Sequence, residues 1–407
     1  MRILHTADWH LGKRLQDFNR HDEQVAVLGE IVQIAQEQSV DLILIAGDLF
    51  DTFNPDPKAE DLLYSTLKQL SDGGRRAVVA IAGNHDNPNR LEAQDHFARE
   101  CSIVLMGFPH SEFRPFDCDI KILRSAPGFV ELQLPAQEKP VRIILTPYAN
   151  ETRMKAHFGL LNVEDELRDH LQQHWSALAD EYMDEEGVNL LVAHLFVMKR
   201  GGAQPEESDD ERSILQIGGA SVVYTDMIPA QVQYTALGHL HRYQELSGGS
   251  GAVVYSSSPL AYSFAEADQQ KYVVLVDAEP GQAVTVTPVP LKTGRRLLRP
   301  RFKRVDEAVE WLQQNPECYP EITMQTSAYL TSEERRKLQQ AHPSLVSIVP
   351  DVRDVNGTGE KQTTQAIDLT QSMQNLFTDY FKNKNKGQEP NERLRQLFNE
   401  ILATEPE

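Results

Sequence analysis

Cysteine is scarce in this chain of 407 residues: Cys101, Cys118 and Cys318 are odd in number and far apart. That excludes a disulfide framework and fits a reducing cytoplasm. No pair has Cys-x-x-Cys spacing, so a zinc site built on thiolates is not expected either. Long apolar runs are missing too: no stretch approaches the ~20 residues that cross a bilayer. The opening Ile3-Leu4 is followed at once by His5 and Asp8, so it reads as a strand rather than a leader. Positive charge is in short supply, with 40 Lys and Arg against 60 Asp and Glu and a formal net charge of −20. A chain that grips nucleic acid by itself normally carries a basic face. The imbalance predicts weak binding of DNA by this chain alone, although bound cations or a basic partner can offset it.

What is present is a globular composition, 40% hydrophobic and 25% charged. The length exceeds a typical single core, so two or three domains are expected. The first half alternates strand and helix. Residues 2–6, 41–46 and 77–82 read as buried strands. Residues 23–38 and 58–70 carry apolar side chains at helical spacing. This order predicts an α/β fold with a largely parallel, layered sheet covered by helices. A helix over 163–185 follows, then buried strands at 189–193, 234–237, 253–256 and 272–277. The expected organisation is a domain over 1–278, a small α+β domain over 279–354, a linker over 355–368 and a helix-loop-helix over 369–407. In that tail Leu369, Met373, Leu376, Phe377 and Tyr380 share one helical face, and Leu394, Leu397, Phe398 and Ile401 share another. Two such helices bury little alone, so they suggest an element that docks on another surface.

Five motifs recur in order, each just after a strand: Asp8-Trp9-His10, Gly47-Asp48-Leu49-Phe50-Asp51, Gly83-Asn84-His85-Asp86, His194 and Gly238-His239-Leu240-His241. Loops at the carboxyl ends of such strands are where ligands bind. Oxygen and imidazole donors in this series suit two divalent ions side by side, a device for splitting phosphate esters. Asp8, His10, Asp48, Asn84, His194, His239 and His241 are the candidate ligands. Asp8 and His10 alternate along the chain, so a bend must turn both inward. The sulfur-free donor set favours manganese, iron or zinc over calcium, with magnesium less natural. His85, beside Asn84 and not needed as a ligand, is the candidate general acid or stabiliser of charge. Asp51 could fix its tautomer.

Blander readings compete. A lone Asp-x-His occurs by chance, and one histidine after a strand, such as His194, is often only a core residue. The complete ordered series is what argues otherwise. His170 and His174, four apart on a helix, read as a solvated face.

These motifs resemble the calcineurin-like metallophosphoesterase family over roughly residues 1–275. The stretches "MRILHTADWHLGK", "AGDLFD", "AGNHD", "ALGHLH" and "SSPLAYSF" resemble a narrower group, the bacterial SbcD nuclease subunits. The resemblance implies a four-layer β-sandwich flanked by helices, and a small α+β domain that caps DNA. It implies tail helices that dock an SbcC-type coiled-coil ATPase, and a homodimer within a heterotetramer. It implies that Asp8, His10, Asp48 and His241 hold one ion and Asp48, Asn84, His194 and His239 the other, usually manganese, with His85 acting on the scissile phosphate. The implied activity is 3′ to 5′ degradation of DNA ends and cutting of single strands and hairpins. One departure is Ser257, where relatives commonly carry glycine. A small-molecule phosphodiesterase and a non-catalytic scaffold are the alternatives. Turnover of a cyclic nucleotide without action on DNA would favour the first, and failure to bind ions the second.

Overall fold

The computed structural model describes residues 1–113, 119–135, 137–154, 163–202, 222–326 and 329–352, with positions 377, 378, 381, 390, 394, 395 and 398. The acidic stretch 206–211, the linker 355–368, Cys118 and tail positions Leu369, Met373, Leu376, Tyr380, Leu397 and Ile401 lie outside the described residues. The chain divides into two compact units, Met1–Val352 and Arg353–Glu407.

The apolar runs of the first unit pair into two sheets. In one, Arg2–Thr6, Leu42–Ile45, Ala77–Ile81 and Ile103–Met106 lie parallel in that order. Tyr272–Asp277 and Thr285–Pro290 extend its other edge in antiparallel pairing. In the second, Val141–Thr146, Val188–His194, Tyr234–Gly238 and Ala252–Tyr255 are parallel. Antiparallel strands close both of its edges. The sheets are therefore mixed, more so than the βαβ pattern predicts.

Successive side chains on a strand face opposite ways, which is why these strands are apolar throughout. Ile3, Leu42, Leu44, Val79 and Ile81 pack between the sheets against Ile143, Leu190, Val192 and Ala236. Leu4, Ile43, Ile45, Val78 and Ala80 meet the helices His21–Glu37 and Pro57–Leu70 on the outer face. Leu191, Ala193 and Leu237 meet Leu171, Trp175 and Ala179 of the helix Val163–Tyr182. The result is four layers, helix on sheet on sheet on helix. The helix Pro57–Leu70 starts where it does because Asp56 accepts from Lys58 N and Ala59 N, both at 2.9 Å, with Pro57 in the first turn. His5 bonds Tyr234 Oη at 2.8 Å and so ties one sheet to the other.

A smaller sheet follows. Cys318–Thr326 is its central strand, paired in parallel with Arg296–Leu298, Arg301–Phe302 and Ser347–Val352. The helices Val305–Gln314 and Ser332–Ala341 cover it through Ala308, Leu312 and Leu338. It joins the larger body through Leu15, Leu297 and Tyr319. Glu23 is the polar hub there: it accepts from Arg20 at 2.7 Å, from Tyr319 Oη at 2.8 Å and from Arg295 N at 2.8 Å. No described helix is long and apolar enough to cross a membrane.

Candidate metal centre

Every motif of the series ends at one edge of the two sheets, where parallel strands deliver their carboxyl ends to a common rim. Asp8 and His10 stand two residues apart with Trp9 between them. Both take left-handed backbone, φ +55° and +43°, as do Asp48 at +49° and His239 at +106°. Such conformations cost of order 1–3 kcal/mol each and persist where the surroundings over-determine them. Here Asp8 N donates to Gly47 O and His10 N to Asp48 O, both at 2.9 Å. The inward bend that Asp-x-His requires is thus held by the neighbouring loop. Two glycines make room. A Cβ on Gly83 would fall 2.1 Å from Asp48 Oδ1, and one on Gly47 would fall 2.3 Å from His194 Nδ1.

Asp48 lies at the middle. Its Oδ2 is 3.5 Å from His10 Nε2 and 3.4 Å from His194 Nε2. On one side, His10 Nε2 stands 3.0 Å from His241 Nε2, and Asp8 completes a group whose donor atoms all lie within 4.8 Å of one another. On the other, Asn84 Oδ1 is 3.0 Å from His194 Nε2 and 3.2 Å from His239 Nδ1. Donors that share an ion at about 2.1 Å stand roughly 3 Å apart when adjacent, so these separations fit cation coordination. The donors are oxygens and imidazole nitrogens, which suit a divalent ion.

Buried charge is distributed accordingly. Burial lifts the Asp8 carboxyl to about 7. Burial works against a charge on His194, yet the charge and hydrogen bond of Asp48, with Asp8 beyond, raise it to about 9. Asp48 itself is held well below the carboxylate range, its burial outweighed by His194, His10 and His85. Burial lowers His10 to about 4. Protons on Asp8 and His194 stand where cation charge belongs.

His85 sits half-buried on the same rim. Its backbone N donates to Asp48 Oδ1 at 2.9 Å and its ring lies 4.8 Å from that of His10. Its Nδ1 is 2.7 Å from the carbonyl oxygen of Asp51. The expected orienting group was the Asp51 carboxylate, and this is corrected: that carboxylate turns instead to Lys13 Nζ at 2.8 Å and faces His10 Nδ1 at 3.6 Å. The tightly turned loop aims its carbonyl, not its side chain, at His85. His170 is exposed and His174 half-buried, and neither joins the donor groups. In the tail, Phe377 stacks on Phe398 with centroids 4.1 Å apart.

Sequence reasoning missed the residues behind the donors. Asp86, buried and quoted only as the end of its motif, accepts from Gly83 N at 2.8 Å, Phe50 N at 2.9 Å and Leu49 N at 3.0 Å, and so locks two motif loops together. Arg153 donates to Gly83 O at 2.7 Å and Asp86 O at 2.8 Å. Glu266 and Lys271 lie buried behind His241. Arg153 and Glu266 belong to no motif, and nothing in their spacing marks them. Asp86 had a signal, since a buried Asp after Gly-Asn-His needs partners.

Comparisons with known proteins bear on this geometry. The profile described as calcineurin-like phosphoesterase matches residues 1–243. A protein of Bacillus subtilis (strain 168), named as the SbcD component of the nuclease SbcCD, is 34% identical over 99% of this chain and 98% of the relative. Proteins of the same name from Rhodobacter capsulatus and Staphylococcus epidermidis are 33% identical over 71% of this chain and 69% of theirs, and 28% identical over 100% of both.

Proposed function

The chain belongs to the calcineurin-like phosphoesterase family, and on that premise we propose that it is the nuclease subunit of an SbcCD-type complex. It is a metal-dependent phosphodiesterase. The observation that carries the reading is the Asp48 carboxylate, one oxygen of which lies 3.5 Å from His10 and 3.4 Å from His194 and can serve ions on both sides. Asp8, His10, Asp48 and His241 would hold one divalent ion; Asp48, Asn84, His194 and His239 would hold the other. Mixed carboxylate, amide and imidazole donors favour manganese. When bound, paired ions offset phosphodiester charge and lower the pKa of the attacking water.

The chain's own residues do the rest. His85 Nδ1 donates to the Asp51 carbonyl, so Nε2 carries the mobile proton. As a water oxygen bonds to phosphorus and gives its proton to solvent, the bond to the departing oxygen breaks and that oxygen takes the Nε2 proton, which solvent then restores to the half-buried ring. Asp51 acts through its backbone. The substrates are duplex DNA ends, degraded 3′ to 5′, and single strands and hairpins, cut internally. Support for DNA despite the net charge of −20 comes from Arg295, Arg296, Arg299 and Arg301, which are exposed where the small α+β domain begins. Phe377 and Phe398, one from each tail segment, stack on each other, in keeping with a helix-loop-helix that docks an SbcC-type ATPase. The setting is DNA repair and recombination in the reducing cytoplasm, as a homodimer with that ATPase, and Cys101 and Cys318 are unpaired.

The test is cleavage of an end-labelled hairpin in manganese by the parent chain and by His85→Ala. The reading predicts a loss of roughly 10²–10⁴-fold with metal content unchanged. Undiminished cleavage by the variant would overturn it.

A further inference from the structure

Glu266 and Lys271 form an ion pair at 2.5 Å, with side chains only 1% and 7% exposed. Burying two charges is expensive, and replacing such a pair by neutral side chains of similar size is often neutral or stabilising. Stability is therefore a poor reason for its presence. Its contacts supply a better one. Lys271 Nζ donates to the carbonyl of His241 at 2.7 Å and to Ser258 Oγ at 3.0 Å. Glu266 Oε1 faces His241 Nδ1 at 3.4 Å and accepts from Tyr262 N at 3.1 Å and Ser263 N at 3.2 Å. The two charges thus hold one histidine at both its backbone and its ring. Tyr262 continues the path, its hydroxyl donating to the carbonyl of Trp9, between Asp8 and His10.

We infer that Glu266 and Lys271 are positioning residues for a single ion, the one between Asp8, His10 and His241. The carboxylate behind Nδ1 leaves His241 Nε2 aimed at His10 Nε2, 3.0 Å away, and makes the imidazole a stronger donor. The opposite ion has no such support from this pair. His194 is oriented instead by the carbonyl of Ala46, 2.8 Å from its Nδ1. Loss of Glu266 therefore strikes one side of the centre and spares the other.

This inference rests on the two-ion reading, and the experiment separates the two. Metal-stripped full-length chain is titrated with manganese by calorimetry, with free ion followed by electron paramagnetic resonance. The parent binds two ions. Glu266→Gln keeps one at the parent's affinity and binds the other roughly 10–100-fold more weakly, the usual penalty for losing a group that orients a metal-bound histidine. The double variant Glu266→Gln/Lys271→Met, which leaves no buried charge unpaired, gives the same split and guards against misfolding, checked by its unfolding midpoint without metal. Two affinities unchanged in either variant, or weakened equally, would contradict the inference. A parent that binds fewer than two ions would instead sink the two-ion reading.

Discussion

Each residue on the rim is defined as much by what stands behind it as by its own chemistry. Asp86 illustrates this. Its carboxylate serves three backbone N–H groups from two loops, so Asp86→Ala leaves Gly83, Leu49 and Phe50 without an acceptor. Each buried donor left unpaired costs about 1–3 kcal/mol. Chemical denaturation of the variant is expected to show a loss of several kcal/mol, with Asn84 and Asp48 pulled out of register and metal affinity reduced. A second expectation concerns pH. Asp8 and His194 have folded pKa values of about 7 and 9, above their ordinary values of 3.8 and 6.5. Groups raised in this way stabilise the fold at low pH, and that contribution is lost as pH rises through the folded values. The metal-free chain should therefore lose thermal stability from pH 3.8 to about 7 as Asp8 ionises and from pH 6.5 to about 9 as His194 loses its proton. Ions must displace the same protons, so metal affinity should rise over that window. Melting curves with and without manganese are expected to diverge as pH rises. Parallel curves would show that the protons and the ions do not compete.

At the level of elements, the strands and helices were largely legible, because short unbroken apolar runs and helical spacing follow directly from residue type. The helices His21–Glu37 and Pro57–Leu70 fall on the helical spacing read at 23–38 and 58–70. What was not legible is the pairing across long separations: Glu266 behind His241, Arg153 behind Asn84, Glu23 beneath Tyr319. No local pattern encodes a contact made only once the sheets have closed. The Asp51 error has the same source, since sequence cannot say whether a loop presents a side chain or a carbonyl. Ser257 has φ +82°, a conformation that glycine adopts without strain. In this chain its Oγ accepts from Tyr272 N at 3.0 Å and donates to Tyr272 O at 3.2 Å, which offsets the strain. Ser257→Ala keeps the strain and loses the bonds, whereas Ser257→Gly loses both. Denaturant titration should find alanine the more damaging by about 1 kcal/mol or more. The joint at Glu23 gives a further expectation. Glu23→Gln removes the charge shared by Arg20 and the Tyr319 hydroxyl, and should expose residues 279–300 to limited proteolysis while leaving metal content intact.

For the whole molecule, a net charge of −20 and a cation-binding rim divide the labour of holding and cutting DNA. The chain alone should bind duplex DNA weakly, with a partner supplying most of the grip. Deleting residues 369–402 is expected to abolish capture of the ATPase in a pull-down while leaving manganese-dependent hydrolysis of a small phosphodiester intact. Retention of the partner would move the docking surface elsewhere. The central claim is that two ions share Asp48 and that phosphodiester cleavage depends on both. The most direct measurement counts manganese bound per chain and follows cleavage of a DNA hairpin by the same preparation, for the parent and for Asp48→Ala. The account predicts two ions and cleavage for the parent, and weakened binding on both sides with no cleavage for the variant. A parent that cleaves after chelation of its metal, or an Asp48→Ala chain that binds two ions and still cuts, would contradict it.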